Sequence, residues 1–172
     1  MKTVQLEHTE VVGGSGRDAA ELLWQTYANE LMKFATSLVG PHDAADLVSV
    51  AFIGVIQSRN WGSVINQRAY LYRSVLNAAN STRRSTARRE TREQRVSAQA
   101  ATETSSLELA DEELLSALSA LSERQRAVVY LTYWMDYSPA QIADLLDLSE
   151  GSVKKHLDRG RTHLRTTLGA HS

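Results

Sequence analysis

Two short segments of the C-terminal half, Ser122-Glu-Arg-Gln125 and Ser138-Pro-Ala-Gln141, each carry the capping-box pattern. In that pattern a serine hydroxyl accepts from the amide three residues on. The glutamine side chain accepts in turn from the serine amide, so two orphaned N–H groups at a helix start are satisfied. Proline follows Ser138 at the first helical position, where its missing N–H costs nothing. Apolar residues at helical spacing follow both boxes: Val128, Val129 and Leu131 after the first, Ile142, Ala143, Leu145 and Leu146 after the second. Helix starts this explicit leave little room for strands. With two prolines, nine glycines and no long strictly alternating stretch, the remaining chain agrees. The expected fold class is all-α.

Downstream of the second box, Asp147 and Leu148 form a tight turn, Ser149 is the next N-cap, and a last helix runs from Glu150 to about Leu168. Helix, short turn and helix make a helix-turn-helix, whose second helix can enter the major groove of DNA. On that helix Val153, Leu157, Leu164 and Leu168 form one stripe that would bury against Ile142 and Leu146. Ser152, Lys155, His156 and Arg159 form a second, outward stripe near the helix start, where recognition helices touch base edges. Lys154, Arg161 and Arg165 flank it and are placed for phosphates. From Glu150 to Arg165 the balance is 5 − 2 = +3. An isolated basic amphipathic helix is more often a solvated surface; two capped helices, a turn and a buried stripe in register favour DNA.

The N-terminal half reads as a second helical unit. Residues 1–17, with Gly13-Gly14-Ser15-Gly16, make a flexible leader; no strand precedes these glycines and no Lys-Ser/Thr follows them, so they are not a phosphate loop. From Asp18, Leu22, Leu23, Tyr27, Leu31, Phe34, Ala35 and Leu38 mark a helix stopped by Gly40-Pro41. A second helix begins near Asp43, with Asp46 also suiting the positive end of its dipole, and continues through Leu47, Val48, Phe52, Ile53 and Ile56. A loop containing Trp61 leads to a third helix from about Arg68 through Leu71, Tyr72, Val75, Leu76 and Ala79. Its end is the densest charge feature of the chain, with six arginines against two glutamates between Arg83 and Arg95, 6 − 2 = +4. Residues 96–107 are rich in small and polar types and read as a linker. The expected organisation is therefore leader 1–17, domain 18–95, linker 96–107 and domain 108–172.

Other classes find little support. A chain without cysteine has no disulfide framework, thiolate nucleophile or cysteine zinc site. No metal site or cofactor is expected: His156 and His163 lie two helical turns apart, ~10 Å, too far to chelate one ion. No nucleophile elbow, paired catalytic carboxylates or HExxH is present, so an enzyme is not expected. No apolar run approaches the ~20 residues that span a bilayer, and the start lacks a signal-peptide core, so the reading is cytoplasmic without membrane insertion. The net charge of −1 excludes holding nucleic acid by bulk charge, and it conceals segregation: residues 1–60 carry 4 − 7 = −3 against the basic segments above.

The run Leu121-Ser-Glu-Arg-Gln-Arg-Ala-Val-Val-Tyr-Leu, followed by Ile142-Ala-Asp-Leu-Leu-Asp-Leu-Ser-Glu-Gly-Ser-Val-Lys-Lys-His-Leu-Asp-Arg-Gly-Arg, resembles the C-terminal domain of bacterial sigma factors of the extracytoplasmic-function group. By itself this half also resembles the DNA-binding domain of response-regulator activators. The N-terminal half decides. Asp43-Ala-Ala-Asp-Leu-Val-Ser-Val-Ala-Phe is similar to the family's helix that docks on the clamp helices of the polymerase largest subunit, with Asp46, Leu47, Val48 and Phe52 matching and Asp43 in an acidic start that suits a basic partner surface. Ser49 and Val50 depart from the Gln-Glu common there. Ala69-Tyr-Leu-Tyr-Arg-Ser-Val-Leu-Asn77 with Arg83 and Arg84 resembles the segment that holds the melted −10 strand.

The resemblance implies a dissociable initiation subunit whose partners are core RNA polymerase, promoter DNA and an anti-sigma protein. Ser152, Lys154, Lys155, His156, Arg159 and Arg161 would then read −35 duplex. Trp61, Asn77, Asn80, Arg83 and Arg84 supply the aromatic, amide and cationic groups that trapping unstacked bases requires. Trp61 equally suits a plug over the helical core, and Tyr70 and Tyr72 read as packing residues. The alternative is an autonomous helix-turn-helix regulator, with residues 18–92 as a sensor.

Overall fold

A computed structural model describes residues 16–93 and 116–169, with side chains described for 18–82 and 116–168. All regular structure among the described residues is helical, and no described helix is long and apolar enough to cross a membrane. The leader up to residue 15, the linker at 96–107 and residues 108–115 of the second expected domain lie outside the described residues.

Helix α1 spans Gly16–Val39, beginning two residues before Asp18. It stops at Gly40, whose φ of +86° lies in the region that glycine enters without a Cβ penalty. Pro41 then opens α2, Pro41–Ile56, so this helix starts earlier than the acidic residues suggested. Proline at its first position needs no N–H partner, and Asp43 falls in the first turn beside the positive end of the dipole. A short 3-10 turn at Trp61–Ser63 precedes α3, Gln67–Glu93. Helices α1, α2 and α3 pack into one bundle around Leu31, Phe34, Leu38, Val48, Leu71 and Val75, with the rings of Phe34 and Tyr72 4.7 Å apart. Tyr72 is fully buried and Tyr70 half-buried, as packing residues.

After helical backbone at 116–119 come α4 (Glu123–Tyr133), α5 (Pro139–Leu146) and α6 (Glu150–Gly169). Both capping boxes form: Ser122 and Ser138 accept from the amides of Gln125 and Gln141, whose side chains accept from the serine amides at 2.9 and 2.8 Å. These helices bury Leu121, Val128, Leu131, Ile142, Val153 and Leu157.

The two helical units also pack on each other, a feature with no local sequence signal. Helix α1 meets α4 and α3 meets α5, and the buried residues of both units join in one apolar cluster. Phe34 and Tyr130 rings lie 6.0 Å apart across the junction. Arg126 of α4 donates to the carbonyl of Leu38, capping the C-terminal end of α1, and pairs with the buried Glu123 at 3.7 Å. Arg68 grips Glu30 through two hydrogen bonds of 2.8 and 3.0 Å. Its guanidinium lies 5.3 Å from the Tyr72 ring in its own unit and 5.6 Å from the Tyr137 ring in the other. Burial works against the charge on Arg68, but the hydrogen bond to Glu30 and the carboxylate's field outweigh it and raise its pKa. Burial, with the Glu30 charge second, likewise pushes up the phenols of Tyr72 and Tyr130.

Candidate nucleic-acid interface

The second capped helix, the turn and α6 build the expected helix-turn-helix. Asp147 takes the left-handed conformation at φ 56°, and Leu148 N–H bonds the Ala143 carbonyl at 3.0 Å, ending α5 in a single tight turn. Ser149 is the cap expected: its hydroxyl accepts from the Ser152 amide at 3.1 Å and contacts the Ser152 hydroxyl at 2.8 Å. Val153 and Leu157 are buried and Leu164 and Leu168 half-buried, so the apolar stripe seats α6 and turns the opposite stripe outward.

Lys155 and Arg159 are exposed on that outward stripe, while Ser152 and His156 are half-buried. His156 therefore faces outward less than its spacing suggested, and its Nδ1 is buried without a hydrogen-bond partner among the described residues. Burial lowers its pKa, and the positive charges of Arg124, Arg159 and Lys155 lower it further. A neutral imidazole brings one donor and one acceptor to this surface rather than a cation. Of the flanking cations, Lys154 lies 3.5 Å from Glu150 in an exposed i,i+4 pair, and Arg161 bonds the Tyr133 hydroxyl at 2.6 Å.

On the N-terminal unit, Trp61 is half-buried, its ring 6.0 Å from that of Tyr70 at 55°. Asn77 is exposed two turns along α3 from Tyr70, on the same face, and Asn80 is half-buried one turn beyond. Tyr70 and Asn77 thus share one face of α3, with the Trp61 ring beside Tyr70. Arg83 and Arg84 lie on the α3 backbone, but their side chains fall outside those described.

Helix α2 departs most from its reading. Asp43 and Asp46 are exposed, but Leu47, Val48 and Phe52 point into the bundle, Val48 at 0% exposure, and Phe52 also meets Trp24 edge-on at 5.0 Å. The apolar residues on the outer face are Val50, Ile53 and Ile56, with Val50 65% and Ile53 48% exposed. Sequence reasoning assigned none of them to a site. The signal was present in their i, i+3, i+6 spacing, but α2 is apolar nearly all round, and periodicity alone does not choose its inner face.

Family models for two parts of one protein type match this chain: Sigma-70 region 2 over residues 23–89, and Sigma-70 region 4 over residues 111–164. The RNA polymerase sigma-E factor of Streptomyces avermitilis is 31% identical over 149 residues, covering 84% of this chain and 82% of that protein. That of Streptomyces antibioticus is 31% identical over 153 residues, covering 86% and 83%. In fold, the chain is similar to the sigma factor RpoE from Bartonella quintana, solved with the anti-sigma factor NepR (TM-score 0.65, 24% identity, 87% of this chain and 96% of that one). It is also similar to CnrH, solved with the cytosolic domain of CnrY (TM-score 0.61, 23% identity, 91% of each chain). The chain belongs to the sigma-70 family, in its extracytoplasmic-function group. It is an alternative sigma factor that directs transcription initiation with core RNA polymerase and promoter DNA, in a family that points to a non-enzyme.

Proposed function

We propose that the two units divide promoter recognition, α6 reading −35 duplex and the Trp61–α3 face holding the melted −10 strand. The observation that carries this reading is the seated helix-turn-helix, whose exposed Lys155 and Arg159 leave α6 beside one another on the surface opposite its buried stripe. Lys155 and Arg159 make base-edge contacts, with Ser152 and the neutral His156 as uncharged neighbours, while Lys154 and Arg161 meet phosphates. Trp61, Asn77 and Asn80 receive unstacked bases, and Arg83 and Arg84 follow the backbone.

The outer face of α2 docks on the clamp helices of the polymerase largest subunit. Asp43 and Asp46 suit a basic partner surface, and Val50, Ile53 and Ile56 supply the apolar contact that the buried Leu47, Val48 and Phe52 support from beneath. The protein acts in the cytoplasm, where its polymerase is. The similar RpoE structure is a complex with the anti-sigma factor NepR, and an anti-sigma protein holds this chain as well.

The test is a pull-down on purified core polymerase followed by run-off transcription and mapping of the transcript starts. Initiation from a defined promoter class is the expected result. DNA binding without any promoter-specific initiation by core enzyme would instead identify an autonomous regulator.

A further inference from the structure

Tyr133 closes α4 and Arg161 lies in the fourth turn of α6, and no motif links the two in sequence. Their meeting is set by a close approach of the two helices one residue earlier on α6. At Gly160 a Cβ would come within 2.9 Å of Val129 Cγ2, a contact that only glycine avoids. Tyr133 is one helical turn beyond Val129, so the same approach brings the next residue of α6 against it. There Arg161 Nε donates to the Tyr133 hydroxyl at 2.6 Å, with the guanidinium carbon 5.6 Å from the ring centroid.

Both side chains stay open to solvent, Tyr133 at 54% exposure. Holding Nε leaves the two terminal nitrogens of the guanidinium without a hydrogen bond among the described residues. Nor does Arg161 make an ion pair among them, although Asp158 stands one turn away on the same helix. The contrast with Lys154, whose neighbour Glu150 offsets its charge, is chemical. A phenol orients a guanidinium without neutralising it, whereas a carboxylate must be displaced before a phosphate can bind. Two parallel N–H groups on a fixed fork match a phosphate's oxygens.

We propose that Tyr133 is a positioning residue, which holds Arg161 ready as a two-pronged clamp for a DNA phosphate beside the recognition helix. The proposal rests on α6 being the duplex-reading helix. An exposed arginine otherwise gives up rotamer freedom on binding; ordering it beforehand is worth about threefold to tenfold in affinity.

A phosphate contact does not depend on base sequence, so the probe is a mixed-sequence duplex of about 30 base pairs. Its binding to the full chain is followed by fluorescence anisotropy from about 50 to 200 mM salt. Arg161→Ala should weaken binding and reduce the slope of log K against log salt by ~0.9, one phosphate. Tyr133→Phe, which keeps the ring, should weaken binding about threefold to tenfold with an unchanged melting temperature, and should have no further effect in the Arg161→Ala background. An unchanged slope in Arg161→Ala, wild-type affinity in Tyr133→Phe, or an equal loss from Tyr133→Phe in both backgrounds would overturn the proposal while leaving the DNA reading intact. Absence of salt-dependent duplex binding by the unaltered chain would overturn both.

Discussion

Gly160 sits on the face of α6 that carries the core stripe, yet its contribution is the side chain it lacks. Placing alanine there gains about 1 kcal/mol of helix propensity. It also drives a methyl to 2.9 Å from Val129 Cγ2, which belongs to a stiff β-branched side chain in the core rather than to a mobile tip. Overpacking of this kind costs about 1–3 kcal/mol, so the steric effect wins. Gly160→Ala should lower stability by about 1 kcal/mol in urea denaturation, and adding Val129→Ala should make the pair less unstable than the two single losses added. A stabilised single variant would contradict the close approach. His156 presents a different residue-scale effect, a protonation equilibrium. Its pKa is lowered by burial and by its cationic neighbours, so folding favours the neutral ring. The resulting stability is complete above the unfolded value near 6.5 and is lost as pH falls through the lower folded-state value. Unfolding midpoints measured between about pH 5 and 7.5 should therefore fall more steeply on acidification for the parent chain than for His156→Gln. Identical pH dependences would rule this out.

Elements were legible in the sequence wherever their ends carry their own chemistry. Ser122, Ser138 and Ser149 each name a helix start because the hydroxyl that caps it is local, and all three hydroxyls bond the amides three residues on. Gly40-Pro41 marks a break for the same reason, although proline's aptitude for the first helical position moved the start of α2 ahead of Asp43. What could not be read is which side of α2 faces inward. Its apolar residues cover nearly the whole circumference, and only packing against α1 and α3 selects Leu47, Val48 and Phe52 over Val50, Ile53 and Ile56. The burial of Leu47, Val48 and Phe52 changes the expected mutational pattern. Ile53→Glu adds a charge at a half-exposed position and should leave the fold intact while weakening capture by core polymerase about tenfold or more, as loss of a central apolar contact does. Val48→Ala should instead cost about 1–3 kcal/mol of stability through the cavity it opens. Affinity for core polymerase and urea midpoints, measured on both variants, check the pair. Equal polymerase affinity for Ile53→Glu and the parent would remove the outer face of α2 from the interface.

At the scale of the whole molecule, the contacts between the two units are the part that sequence reading missed. They join residues far apart in the chain, Arg68 to Tyr137 and Leu38 to Arg126, and a pairing of that kind leaves no periodic trace. They also bear on how the protein works. Promoter elements named −10 and −35 lie about 25 base pairs apart, or ~85 Å along duplex DNA at ~3.4 Å per base pair. In the folded chain, α3 of the first unit and α5 of the second are in contact, and Arg73 reaches within 3.7 Å of Asp147 in the recognition turn. Two reading surfaces held this closely cannot occupy both elements. On the proposed division of −10 and −35 reading, engagement of polymerase and promoter separates the units. The free energy of the Arg68–Tyr137, Arg73–Asp147 and Arg126–Leu38 contacts is then subtracted from the affinity of the complex. The absence of cysteine makes a direct measurement practical, because Thr26→Cys on α1 and Thr166→Cys on α6 are exposed and would take a donor and an acceptor dye without competing thiols. Energy transfer should be high in the free chain and should fall when core polymerase and promoter are added. Adding Arg126→Ala, which removes the cap on α1, should lower transfer in the free chain and raise the fraction bound at limiting polymerase. Transfer that stays constant from the free chain to the promoter complex would mean that the units read DNA without parting, and the division of −10 and −35 recognition between them would then be wrong.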